Sequence, residues 1–192
     1  DEKFVREVQT VRGYDHAFET CGKSFAYWVD CHWTHHLAER GLLDRYREDL
    51  KRRVEQLGGD EPSDASFLSA GDSMDGFIGR HARQWLADYD GDKPWFLHAS
   101  FCGPHFPIDP PAEYHRHDPD DMPDPVGVDD PERAAYWRRR MAAYCGMIEQ
   151  IDDEVGKLLA ALEQRGELDR TLVIFATDHG DMMGHKDRAH KG

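Results

Sequence analysis

Four residues of this chain have the types and spacing to act together on an anion: His105, Asp178, His179 and Lys191. Asp178 and His179 come directly after the apolar run TLVIFAT, and His105 comes shortly after WFLHASF. A carboxylate is a hard oxygen ligand and an imidazole a nitrogen ligand, so an Asp-His pair can hold a divalent cation. Gly180 lets the backbone turn closely beside them. Lys191 offers mobile positive charge, and His105 a hydrogen-bond donor or proton source. A cation, a Lys and a His around one anion would stabilise charge on a sulfuryl or phosphoryl group. The purely structural reading of the same residues is a turn after a buried strand, with Asp178 capping the next segment of chain.

Such residues cooperate only if the elements carrying them end at one place. PWFLHASF and TLVIFAT are apolar on both faces, as in strands buried on both sides. Between them, residues 103–131 hold eight of the ten prolines. That stretch is too poor in backbone donors for a central strand or long helix, and a long, acidic, surface-hugging loop is predicted. A helix comes next, with Asp130 as N-cap and Pro131 at its first position. Trp137, Met141, Tyr144, Ile148, Ile151, Val155, Leu158 and Leu162 form its core stripe, and Gly166 ends it. Strand, loop, helix, strand is an α/β crossover, expected to be right-handed, so both strand ends should point the same way. Ligands of open α/β sheets bind beyond those ends.

The earlier half reads less clearly. Residues 1–33 look irregular, with strand-like pieces such as KFVREVQTV. Residues 34–57 look helical with a break near Gly41; Leu43, Tyr46, Leu50, Val54 and Leu57 share one face, and Gly58-Gly59 end it. Residues 60–71 read as loop. Asp72 or Ser73 should cap a helix whose apolar face is Phe77, Ile78, Ala82, Trp85, Leu86 and Tyr89.

Composition narrows the function. The 192 residues are 39% hydrophobic and 32% charged, with net charge −14. That balance suits a globular chain and disfavours nucleic acid as a partner. No run approaches the roughly 20 apolar residues needed to span a bilayer. Cys21, Cys31, Cys102 and Cys145 show no CxxC spacing and read as reduced, partly buried thiols, consistent with a reducing compartment; cytoplasm and periplasm both stay open. Gly22-Lys23-Ser24 lacks the glycine a phosphate loop needs, since Ala17 stands there. Asp88, Asp90 and Asp92 lack the Gly and Glu of a calcium loop, with Lys93 and Ala99 in those places. Cys31, His32, His35 and His36 have helical spacing, but no second ligand pair closes a zinc site.

The text PWFLHASFCGPHFPIDPPAEY, then YCGMIEQIDDEVGKLLAALEQRGELDRTLVIFATDHGDMMG, then HKG resembles the sulfatase family of the alkaline-phosphatase-like superfamily. GYDHAFETCGK is similar to the stretch after the family's Lys-containing motif. The resemblance implies a partial alkaline-phosphatase-like α/β fold: helices packed on a mainly parallel sheet whose N-terminal strands are missing. Residues 1–192 would be an incomplete central to C-terminal portion of one catalytic domain. It further implies that Asp178 and His179 are a late pair of metal ligands, with His at the second place as in choline sulfatases and phosphonate monoester hydrolases. His105 would bind the ester group and assist its leaving oxygen, and Lys191 would contact the sulfate. The cation would be calcium, or manganese as in some relatives, and the substrate a small sulfate ester.

Two departures stand out. HKDRAHKG makes Lys186 a competitor of Lys191, with His185 and His190 expected to be exposed. The family nucleophile, a formylglycine made within C/S-x-P/A-x-R, has no counterpart around any of the four cysteines, nor are the early acidic metal ligands present. The nucleophile is therefore expected upstream and the segment alone inactive. Rival readings are a phosphonate monoester hydrolase or phosphodiesterase on the same scaffold, and a non-catalytic anion-binding relative. Oligomeric state is not indicated.

Overall fold

A computed structural model describes residues 13–56 and 60–191. The chain divides into two units, Asp1–Glu55 and Gln56–Gly192. Leu57, Gly58-Gly59 and KFVREVQTV lie outside the described residues.

In the first unit the predicted helix is two, α1 (His32–Glu39) and α2 (Leu43–Val54). Gly41 separates them at φ +67°. Its N–H donates to Ala38 O (2.9 Å) and that of Leu42 to Leu37 O (2.8 Å), the paired bonds of a glycine-terminated helix end. Trp33 and Leu37 of α1 and Tyr46 and Leu50 of α2 are fully buried, with the Trp33 and Tyr46 rings edge-on at 4.9 Å. Arg53 joins them because Asp49, one helical turn earlier, accepts from its Nε at 2.7 Å.

In the second unit, α3 (Met74–Asp88) and α4 (Pro131–Gln164) begin and end as their caps dictate. Ser73 Oγ accepts from Gly76 N, and Asp130 Oδ1 from Glu132 N. Gly166 closes α4 at φ +65°, with Glu167 N donating to Leu162 O (2.9 Å). The helices pack closely through a glycine. A Cβ on Gly79 would stand 2.1 Å from Glu154 Oε2. Glu154 is buried there and paired with Arg83 and Lys157. Arg165 satisfies the last carbonyls of α3, at Leu86 and Tyr89.

Three expectations are corrected. Residues 94–101 and 171–177 form no strand among the described residues, whose one β contact is the parallel bridge Ser66–Pro111. Phe96 is 72% exposed, and Leu172, Ile174 and Phe175 are 84%, 76% and 80% exposed. A run apolar on both faces becomes a strand only where neighbours pair its backbone and cover both faces. Second, the proline loop does not hug the surface throughout. Residues 106–111 are buried, with Ile108 packed on Ala143 and Met147 of α4. Third, the buried face of α4 is Ala134, Trp137, Arg140, Ala142, Ala143, Gly146, Met147, Gln150, Glu154 and Leu162. Small residues line it because backbone comes close: a Cβ on Gly146 would stand 2.2 Å from Tyr114 O. Of the predicted stripe, Ile148 is 47% exposed, and Met141, Tyr144, Ile151, Val155 and Leu158 are only half-buried.

Candidate functional site

Asp178 and His179 sit where the exposed run 172–177 turns. Asp178 Oδ1 accepts the His179 N–H (2.9 Å), and Thr177 Oγ1 donates to His179 O (2.8 Å), which fixes the turn. His179 Nδ1 lies 2.9 Å from Gly180 O. A carbonyl only accepts, so Nδ1 carries the proton and Nε2 of a neutral ring bears the lone pair. That Nε2 faces Asp178 Oδ2 at 3.6 Å. The spacing suits neighbouring ligands of one ion held at about 2.0–2.6 Å, and the carbonyl on Nδ1 is the usual support for a ligating histidine. The donor set therefore fits a divalent cation. It is not closed: among the described residues no group of three or more His, Cys, Asp or Glu could hold a metal ion.

His105 is exposed on the loop between the 94–101 run and the buried segment. Its Nδ1 donates to Phe106 O (2.9 Å), which leaves Nε2 outward. The loop is held from behind by buried Asp75 of α3, whose Oδ1 accepts from Cys102 N (2.8 Å) and Gly103 N (3.0 Å). No hydrogen bond or ion pair among the described residues joins His105 or Lys191 to the Asp178–His179 pair.

The segment before Lys191 is clasped to α4. Gly184, at φ +92°, is so close to Trp137 that a Cβ would stand 2.7 Å from the indole. Trp137 Nε1 donates to Asp187 Oδ1 (2.7 Å), and Arg133 pairs with the same carboxylate while covering the Trp137 ring. These donors hold the Asp187 carboxyl below the usual range. Lys186 N donates to Val126 O (2.8 Å). His185 is exposed, as expected. His190 departs from expectation: its Nε2 lies 2.9 Å from Oε1 of Glu61, whose other oxygen accepts from Arg140 Nη2 at 2.5 Å. Glu61 and Arg140 are completely buried. Arg140 Nε and Nη1 have no hydrogen-bond partner among the described residues. The His190 ring also meets Phe106 edge-on at 6.3 Å. His190 thus ties the residue before Lys191 to the residue after His105. Sequence reading missed Glu61, Arg140 and Asp187; the only hint is that Arg140 lies one turn from Trp137 on the inward side of α4.

The profile of the family described as Sulfatase matches residues 2–192. The chain belongs to the sulfatase family. It is 37% identical over 127 residues to an arylsulfatase of Clostridium perfringens, covering 56% of this chain and 26% of that protein. It is 29% identical over 121 residues to a choline-sulfatase of Rhizobium meliloti, covering 52% and 24%. Among solved structures it is similar to the phosphonate monoester hydrolase of Agrobacterium radiobacter, with TM-score 0.65, 26% identity, and 83% and 38% coverage. The chain thus spans about a quarter of the length of these curated sulfatases. Its structural neighbours are hydrolases of the alkaline-phosphatase-like superfamily.

Proposed function

We propose that this chain supplies the late metal ligands and part of the anion pocket of a sulfatase-family hydrolase acting on small sulfate esters. The observation that carries the reading is the His179 geometry: Nδ1 tied to Gly180 O, Nε2 and the Asp178 carboxylate converging at 3.6 Å. Asp178 and His179 hold a divalent cation, calcium before manganese, which when bound supplies positive charge to the ester oxygens. Lys191 contacts the sulfate, and His105 presents Nε2 to the ester and its leaving oxygen, where a proton is needed. Lys186, also exposed, competes for the Lys191 role. The formylglycine nucleophile lies outside these residues; no cysteine here stands in the required motif. The segment by itself is inactive.

A second reading is favoured by the structural likeness to a phosphonate monoester hydrolase over 83% of the chain. Both reactions attack a tetrahedral anion, so the pocket suits either. Assays of the intact protein on aryl sulfates and phosphonate monoesters discriminate. Sulfate turnover dependent on calcium or manganese, lowered about 100-fold or more by Asp178→Ala, supports the first reading. Dominant phosphonate turnover favours the second. Turnover indifferent to metal and to Asp178 overturns both.

A further inference from the structure

The first unit holds a pair of thiols that hydrolysis of an ester does not use. Residues 18–21 run alongside residues 29–32 in opposite directions. His32 Nδ1 donates to Glu19 O (3.1 Å), and the His32 ring packs at a tilt against Phe18, with centroids 4.4 Å apart. Further along, Cys21 Sγ lies 3.4 Å from Gly22 O and 3.9 Å from Val29 O. Cys31 falls between these two crossing contacts and opens α1, where Thr34 returns to it: Thr34 Oγ1 accepts from Cys31 N (2.7 Å) and lies 3.9 Å from Cys31 Sγ. Both sulfurs are half-buried and in the reduced state. From this arrangement we propose that Cys21 and Cys31 are a reversible dithiol–disulfide pair, oxidised by a hydroperoxide with Cys31 as the attacking sulfur.

The chemistry assigns the roles. The Cys21 S–H donates to the Cys31 sulfur, and backbone N–H groups at the start of α1 add to it; against the cost of burial, they bring the Cys31 thiol down to about 5. It is therefore a thiolate at neutral pH, the nucleophilic form. Burial pushes Cys145 the other way. The Cys31 thiolate attacks a peroxide oxygen. The O–O bond breaks, an S–O bond forms, hydroxide leaves, and Cys31 becomes a sulfenic acid. The Cys21 sulfur then attacks Cys31. The S–O bond breaks, the S–S bond forms, and the hydroxyl departs with the Cys21 proton as water. Two thiols lose two electrons, and the peroxide is reduced to water. A small thiol reverses the bond by exchange.

The test is peptide mass mapping of the intact protein after stoichiometric hydrogen peroxide. The expected product is a Cys21–Cys31 cross-linked peptide lacking two hydrogens and restored by dithiothreitol. Cys21→Ser should stop at a Cys31 sulfenic acid captured by dimedone, and Cys31→Ser should leave Cys21 unreacted. A measurement on the unaltered protein guards against variants that misfold. Alkylation of Cys31 should change less than about twofold between pH 6.5 and 8, whereas an ordinary thiol accelerates on the order of 20-fold. Oxidation of Cys102 or Cys145 before Cys31, passage of Cys31 to sulfinic acid without linkage to Cys21, or an ordinary pH profile at Cys31 overturns the proposal.

Discussion

At the scale of residues, the site depends on side chains whose partners fix both tautomer and position. His179 is the clearest case, since the Gly180 carbonyl on Nδ1 decides which ring nitrogen keeps its lone pair. Glu61 does a comparable service for His190. It is fully buried between Arg140 and His190. Burying such a pair costs solvation, so it is better read as fixing position than as adding stability. Removing one partner is another matter. Glu61→Ala would strand the Arg140 charge and should destabilise the protein by about 3–5 kcal/mol, read in denaturant titration. His190→Ala should cost far less, because its ring is partly exposed. A second prediction concerns pH. The folded-state Asp187 carboxyl lies below its ordinary value because of Trp137 and Arg133. Its contribution is therefore fully present above about pH 4 and is lost as pH falls through the depressed folded value. The Trp137 indole N–H resonance should shift in that acid window, and in Asp187→Asn it should not. Asp178 and His179 adjoin in sequence, so their 3.6 Å contact needs no long-range packing to form. The Glu61–Arg140–His190 chain was not legible in the sequence, because its links join residues 79 and 129 apart.

At the scale of elements, local rules carried furthest. Gly41, Ser73, Asp130 and Gly166 mark helix ends because each acts on backbone within a few residues of itself. The strands failed for the complementary reason: pairing is not local, and the described residues supply no partner for residues 94–101 or 171–177. Helix α4 shows a third case. Periodicity found its large apolar residues, but the packed face is lined by Gly146, Ala142 and Ala143, and Gly146 lets the proline loop approach. Gly146→Ala would force Tyr114 O aside and should destabilise by about 1–3 kcal/mol, measured as a lowered unfolding midpoint. Asp75→Ala should leave α3 helical while freeing the loop that carries His105, seen as faster amide exchange at Cys102 and Gly103.

At the scale of the whole chain, exposed apolar surface is concentrated on the two runs read from the sequence as strands. Leu172, Ile174, Phe175 and Phe96 are largely exposed, and the apolar stripe of α4 is half-buried. Patches of this kind bind hydrophobic dyes and self-associate. The 192-residue chain alone should enhance anilinonaphthalene sulfonate fluorescence and elute as aggregates in size exclusion, and Leu172→Lys with Ile174→Lys should reduce both. No helix among the described residues is long and apolar enough to cross a membrane. The central claim, that Asp178 and His179 grip a divalent ion, is tested most directly by calorimetric calcium and manganese titration of the intact protein. One tightly bound ion, weakened at least about 100-fold by Asp178→Ala and again by His179→Ala, is the predicted result. Unchanged affinity in both variants would contradict the account.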